Sequence, residues 1–229
     1  MNGPRYAVIT THNRPAELAR CVIALAGQVD TVIVVDNASE PPAVDAWLQG
    51  QQPMLTCEIV FTDHPDSPPN LSRMWNIGLD VAAGHAQMAG HDTWDVAVLN
   101  DDAVVPAGWY EACTAAMRDS PAVVGCSDPY GSISAPLLRT EPDNHLMTRE
   151  CPWAFVVRGE SGLRSDETLR WWYFDTDLMW RARRAGGTVM IPGYLTQNTL
   201  ANSTTVGELA EQAGRDRDRF AEIWGHVPW

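Results

Sequence analysis

Six residues, Thr31-Val32-Ile33-Val34-Val35-Asp36, narrow the possible folds of this chain more than any other stretch: five β-branched side chains follow one another without alternation and stop at a carboxylate. A strand with one face in water alternates apolar and polar residues. One without alternation is covered on both faces, the habit of a parallel sheet with helices above and below. Arg5 to Thr10 reads as a similar buried strand. Between the two, Leu18, Cys21, Val22 and Leu25 fall at helical spacing, predicting a helix over Arg14 to Leu25 with Asn13 as its cap and Pro15 in its first turn. A short helix around Val44 to Leu48 follows Pro41-Pro42, and Cys57 to Phe61 is a third strand. Such β-α-β-α-β order places ligands beyond the carboxyl ends of the strands.

The rest of the chain extends the pattern. Asn70 to Ala82 is predicted helical, Asp95 to Leu99 a fourth strand, Pro106 to Met117 a helix and Ala122 to Gly125 a short strand. Residues 127 to 150 lack periodicity and are expected to loop over the ligand-bearing face. Trp153 to Val157 and Thr188 to Ile191 read as strands, Asp175 to Ala185 as a helix. Val206 to Trp224 closes the chain as a helix with Leu209, Ala213, Phe220 and Trp224 as its inner stripe. No repeat or low-complexity tract interrupts the sequence. We expect one α/β domain over residues 1–229, mainly a parallel sheet flanked by helices, with 1–102 and 103–229 as its two halves.

Composition limits the partners. A formal charge of −13 makes a nucleic-acid backbone a poor general ligand, since such binding depends on Lys and Arg neutralising phosphates. It leaves room for a phosphorylated small molecule held by a metal ion and one or two arginines. The start of the chain lacks a signal-peptide pattern, and no apolar run approaches the roughly 18 residues of a membrane span, so a soluble, cytoplasmic protein is expected. Five widely spaced cysteines without a C-x-x-C pair fit reduced core residues better than disulfides or a zinc site. Asn70-Leu71-Ser72 and Asn202-Ser203-Thr204 match the glycosylation pattern by chance in such a setting.

The candidate chemistry lies in Val98-Leu99-Asn100-Asp101-Asp102-Ala103-Val104, an apolar run ending in adjacent carboxylates. Paired acids at a strand end offer hard oxygen ligands to a divalent cation, although turn chemistry alone also favours Asn and Asp. Three other blocks stand in order around it. They are Ala7-Val8-Ile9-Thr10-Thr11-His12-Asn13-Arg14 with Val34-Val35-Asp36-Asn37-Ala38-Ser39, then Asn70-Leu71-Ser72-Arg73-Met74-Trp75-Asn76-Ile77-Gly78, and finally Tyr173-Phe174-Asp175-Thr176-Asp177-Leu178 running on to Gly187. Together they resemble the inverting nucleotide-sugar glycosyltransferases of family 2, with the GT-A fold, and among them the short rhamnosyltransferase-like members.

That resemblance implies transfer of a sugar from a nucleoside-diphosphate sugar to an acceptor hydroxyl, assisted by Mn2+ or Mg2+. Residues 1–102 would be the nucleotide-sugar half and 103–229 the acceptor half with the C-terminal helix. Thr10, Thr11, Asn13 and Asp36 would meet the base or ribose, although Asn13 could simply cap a helix and Asp36 form an Asx-turn. Arg73, Asn76, Asn100 and Asp101 would also contact the donor, Arg73 by reaching the diphosphate. Gly78 would sit beside the donor or serve close helix packing. Asp102 would bind the cation, with Asp101 sharing it, because the leaving diphosphate gains negative charge. Asp175 would be the general base that inversion requires, while Asp177 caps or orients its helix. Trp153, Trp171 and Trp172 would offer aromatic faces to an acceptor sugar, core packing being the competing role. Trp75, Trp180 and Trp224 suit the core.

Two departures from the family pattern stand out. Phe174 occupies a position where relatives often carry Glu, and Gln197-Asn198 stand where metal-dependent relatives often present a histidine. The six histidines, none at that place, read as ordinary polar residues. These departures keep open a nucleotide-sugar-binding module without turnover. A nucleotidyltransferase is disfavoured because Thr10 to Pro15 contains no glycine. A nucleic-acid-modifying transferase would need a basic patch. The available clusters are Arg181, Arg183, Arg184 and the alternating Arg215-Asp216-Arg217-Asp218-Arg219 segment, which reads as a solvated helix face.

Overall fold

The computed structural model describes residues 3–49, 57–63, 69–142, 150–198 and 207–228. Four strands, β1 (Arg5–Thr11), β2 (Thr31–Asp36), β3 (Glu58–Asp63) and β4 (Asp95–Asn100), lie parallel in the order β3-β2-β1-β4. The unbroken apolar strand of the sequence is β2, and all six of its residues are buried. Helix α1 (Pro15–Leu25) joins β1 to β2, α2 (Ala43–Gln49) lies between β2 and β3, and α3 (Leu71–Met88) precedes β4. Successive strands first step outward from β1, and the chain then returns to lay β4 on its other side. The switch point is therefore between the carboxyl ends of β1 and β4, where Thr10 pairs with Asn100.

The second half continues the sheet from β4. Beside it run β8 (Ala154–Arg158), antiparallel, then β6 (Val124–Ser127), β9 (Thr188–Ile191) and, at the edge, β7 (Leu137–Arg139). A separate small sheet pairs β5 (Ala103–Val104) with β10 (Gln197–Asn198), drawing the segment after β9 back to the acidic turn. Helices α4 (Trp109–Arg118), α5 (Phe174–Ala185) and α6 (Glu208–Trp224) complete the order. The result is a mixed α/β fold with a mostly parallel central sheet flanked by helices.

Close packing sets the helices on the sheet. A Cβ on Gly78 of α3 would stand 2.2 Å from Cγ1 of Val8, and one on Gly125 of β6 would stand 2.5 Å from the Cys113 carbonyl oxygen of α4. Phe155, Trp75 and Phe174 form an edge-on aromatic stack with centroid separations of 5.2 and 4.6 Å. Phe174 is thereby drawn into the core, a physical reason for an aromatic where relatives carry an acid. At the amino-terminal edge of β4, Arg118 bridges Asp95 and Glu160. Arg183 and Glu150 form a buried pair at 2.7 Å that also takes the Thr188 hydroxyl. Buried charges are tolerable when paired and hydrogen-bonded this fully.

Several expectations needed correction. The helix expected from Pro106 begins at Trp109, behind Gly108 at φ +78, and the long loop over 127–150 contains β7; residues 143–149 lie outside the described region. Helix α1 is preceded by Arg14, without a side-chain cap, so Asn13 does not cap it. In α6 the fully buried line is Gln212, Asp216 and Phe220; of the expected apolar stripe Phe220 is in it, while Leu209, Ala213 and Trp224 are half-buried. Val206, its expected start, lies outside the described residues. All five cysteines are free, four of them buried, as expected of core residues. Among the described residues no helix is long and apolar enough to cross a membrane.

Candidate active site

The carboxyl ends of β1 and β4 bring together residues separated by about ninety positions in sequence. The Thr11 hydroxyl donates to Oδ2 of Asp101 at 2.9 Å, and the Arg14 guanidinium donates to Oδ1 of the same carboxylate at 3.3 Å. Arg14 also stands 4.0 Å from Oδ2 of Asp102. Both carboxylates are nearly inaccessible, at 4% and 6% exposure, whereas the Arg14 side chain is 38% exposed. Burial pushes Asp101 up to about 6, against the opposing pull of Arg14 and the Thr11 hydroxyl. It raises Asp102 too, again opposed by Arg14. Directly behind the turn, the Cys21 thiol donates to the Asn100 carbonyl at 3.5 Å, and its acidity is suppressed by burial and by the two carboxylates.

Beside this acidic turn, two loops lock together. The Asp36 carboxylate, 1% exposed, accepts from the Ser39 amide, the Ser39 hydroxyl and the Ala43 amide, so it builds an Asx-type turn and anchors the start of α2. Ser39 in turn accepts the Asn13 amide at 2.8 Å. The Asn13 side chain accepts the Glu40 amide at 2.7 Å, and the Asn37 amide donates to the Thr11 carbonyl at 2.9 Å. Asn13 holds φ +55, a left-handed conformation that Asn adopts more readily than most residues. His12 belongs to the same lock, with Nδ1 against the Asn37 carbonyl at 2.6 Å and Nε2 against the Asn13 amide nitrogen at 3.1 Å.

Other predicted residues are Trp153 and those on the segment that opens α5. Asn100 donates its amide to the Trp153 carbonyl at 3.0 Å, and the Trp153 indole donates to the Thr196 hydroxyl at 3.1 Å. Thr196 immediately precedes β10, in which Asn198 pairs opposite Ala103, next to Asp102. Trp171 and Trp172, half-buried, precede α5. Asp175 lies in the first turn of that helix, and its Oδ1 accepts the Thr176 amide at 2.8 Å. Tyr173 between them is left-handed at φ +63. Asp177 is wholly buried and receives the Trp224 indole at 2.9 Å, the Asp166 amide at 3.2 Å and the Arg181 guanidinium at 2.7 Å.

The block around Arg73 is bonded to the loop before α5. Asn70 caps α3 by accepting the Arg73 amide at 3.1 Å, and Arg73 itself is exposed. Asn76 is turned toward the loop before α5, donating to the Ser165 carbonyl and Glu167 and accepting the Ser165 amide, each at 3.0 Å. The structure thus gathers Thr10, Thr11, Asn100, Asp101 and Asp102 at one point, with Asn13 and Asp36 in the adjoining loops. The Asn76 amide it commits to the loop. One neighbour of the acidic turn received no role from the sequence: Arg14, quoted only as the last residue of the first block. Of the arginines considered for a basic patch, Arg181 pairs with Asp177 and Asp166, Arg183 with Glu150 and Arg219 with Glu222, Arg215 donates to Gln212, and Arg184 lies over the Trp224 ring at 4.3 Å.

Mg2+ and Mn2+ commonly take one or two protein carboxylates, keep several waters and share phosphate oxygens of a substrate. Adjacent Asp101 and Asp102 fit that habit. Among the described residues no group of three or more His, Cys, Asp or Glu could form a closed cage.

The chain is similar in structure to the crystal structure of S. aureus TarS 1-349, at 10% identity and a TM-score of 0.56 over 96% of this chain and 72% of that one. It is similar also to the same protein in complex with UDP-GlcNAc, at 11% identity and a TM-score of 0.57 over 96% of this chain and 71% of that one. GalNAc-T7 with UDP, GalNAc and Mn2+ gives 12% identity and a TM-score of 0.64, covering 97% of this chain and 48% of that one. These likenesses establish the GT-A fold. No curated protein matches. The sequence profile named Glycosyl transferase family 2 matches residues 6–195, most of the chain. With the ordered blocks and the fold in agreement, the chain belongs to glycosyl transferase family 2.

Proposed function

We propose that this glycosyltransferase moves a hexose from a nucleoside-diphosphate sugar to an acceptor hydroxyl with inversion at the anomeric carbon, assisted by Mn2+ or Mg2+. The observation that carries this reading is the meeting of Thr11, Arg14, Asp101 and Asp102 at the switch point, two buried carboxylates beside one partly exposed guanidinium. Crystal structures of two proteins of the same fold contain UDP or UDP-GlcNAc, and one of them Mn2+. Here Asp102, joined by Asp101, would hold the metal, which when bound supplies positive charge to the departing diphosphate. The loops of Thr10, Thr11, Asn13 and Asp36 line the nucleoside side, with Arg73 and Asn76 on the helix that bounds the donor region and Asn100 at the strand end.

Asp175 would accept the acceptor hydroxyl proton as that oxygen bonds to the anomeric carbon. On the opposite face the bond from that carbon to the diphosphate oxygen breaks, and the nucleoside diphosphate leaves with the electron pair. Trp153, Trp171 and Trp172 would present the acceptor to this base. Five free thiols suit a reducing compartment such as the cytoplasm.

The test is a thermal-shift screen of UDP-, GDP- and dTDP-sugars with and without Mn2+, followed by turnover of whichever donor stabilises the protein. Asp102→Ala should abolish metal-dependent turnover while preserving the fold. Full activity in that variant removes Asp102 from the metal site, and full activity in Asp175→Asn removes the proposed base.

A further inference from the structure

The carboxylate of Asp216 lies outside the span matched by the family profile, on a helix face whose alternating charges suggest solvent. It is instead fully buried, at 0% exposure. Its Oδ1 accepts the Arg170 amide at 3.1 Å and the Gln212 side-chain amide at 2.7 Å, while its Oδ2 accepts the Trp171 amide at 2.7 Å and the Trp172 amide at 2.8 Å. Three successive backbone N–H groups thus converge on one anion, a cradle that side chains rarely complete so fully. The opposite edge of the same loop is tied to α3: the Leu71 amide donates to the Arg170 carbonyl at 2.8 Å, and the Ser72 hydroxyl donates to the Leu169 carbonyl.

The next residues are Tyr173, left-handed, and the first turn of α5 with Asp175. The Tyr173 ring lies 5.2 Å from that of Phe220, one helical turn beyond Asp216 on α6. Both sides of the backbone between Leu169 and Tyr173 are therefore fixed, and one of the two fastenings comes from the C-terminal helix. We propose that Asp216 is a positioning residue: it sets the height and direction of the segment carrying Trp171, Trp172 and Asp175, so that α6 forms part of the acceptor site. This inference rests on the glycosyl-transfer reading above. It adds that acceptor use, and not donor use, depends on residues beyond the family span.

The two halves of the site make the claim separable. The donor contacts at the ends of β1 and β4 do not bond Asp216, and those on α3 keep their own bonds to residues 165–170, so releasing the amides of Arg170, Trp171 and Trp172 should misplace the acceptor face. Misplacement of about 1 Å can cost on the order of a hundredfold in rate. The experiment compares wild-type protein, Asp216→Ala and Asp216→Asn in three measurements: amide hydrogen exchange at Arg170, Trp171 and Trp172, binding of UDP with Mn2+, and transfer to the first methyl glycoside, phenol or serine peptide that the wild type uses.

In Asp216→Ala the three amides should exchange at least about tenfold faster, transfer should fall about ten- to a hundredfold through acceptor KM and kcat, and the dissociation constant of UDP with Mn2+ should stay within about twofold of wild type. Asp216→Asn, which keeps one acceptor oxygen for Trp171 and Trp172, should recover most of the loss. The proposal is overturned if transfer survives although the amides are released, if exchange does not change, or if UDP binding and transfer are lost together. A wild-type protein that binds UDP with Mn2+ but turns over no nucleoside-diphosphate sugar overturns the transferase reading instead, and exchange at the three amides then decides whether Asp216 orders the loop.

Discussion

Asp36 and Arg14 show what a residue can and cannot announce in sequence. The acid at the end of β2 reads in sequence as a contact to base or ribose, with an Asx-turn as the alternative, and the structure gives both of its oxygens to that turn and to the start of α2. Asp36→Ala should therefore cost roughly 2–4 kcal/mol, because several buried N–H and O–H groups lose a charged acceptor; urea unfolding at neutral pH reads the loss. Arg14 had no legible role, since its partner lies across the sheet and only the parallel pairing of β1 with β4 brings them together. Its guanidinium occupies the electrostatic position that a divalent ion would share beside Asp101 and Asp102. Arg14→Ala should accordingly bind Mn2+ about tenfold more tightly in the absence of nucleotide, as a gain of roughly 1.4 kcal/mol would give. Titration monitored by the Mn2+ EPR signal measures this, and an unchanged affinity detaches Arg14 from the metal.

Elements with their own periodicity were visible before folding, and those created by tertiary pairing were not. The first four strands and α1 announced themselves by unbroken apolar runs and by helical spacing, and β9 was placed at Thr188 to Ile191, its observed limits. By contrast β5, β7 and β10 are two or three residues long and exist because a neighbour offers hydrogen bonds. The buried line of α6 was misread for a related reason: Gln212 and Asp216 look solvent-facing until the amides of another loop supply their partners. Helix α3 offers a clean test of packing at this scale. Gly78 sits over Val8, which is 0% exposed and flanked by β2 and β4, so it has nowhere to retreat from an added methyl. Gly78→Ala should destabilise the protein by about 1–3 kcal/mol through overpacking, despite the higher helix propensity of Ala. A variant as stable as wild type would mean that α3 can lift from β1 at no cost.

Across the whole molecule, carboxylates pull in two directions as pH falls. Asp128 is raised by burial, but the amides of Tyr130 and Ile133 and the Ser132 hydroxyl outweigh that and hold it below its ordinary value. Hydrogen bonding to Arg5 lowers Asp30, and Glu160 and Asp166 also end low, burial being outweighed by Arg118 and by Thr168 respectively. Such groups are bound by fewer protons in the folded state, so their stabilisation is complete above the ordinary carboxylate range of about 4 and disappears as pH drops through their folded values. Asp101 has the opposite sign: raised to about 6, it takes up a proton first in the folded state, which favours folding as pH falls from 6 toward 4. The net charge of −13 acts in the same sense, because self-repulsion eases as carboxylates are neutralised. Without metal, the urea midpoint should therefore hold level or rise slightly from pH 7 to about 5, then fall steeply below about 4. Asp128→Asn should lower the plateau and flatten the acid limb, since the protonation that releases Tyr130, Ser132 and Ile133 no longer has a charged form to oppose. A wild-type midpoint that declines steadily from pH 7 would show that the ordinary acids, and not these fastened ones, govern its acid unfolding.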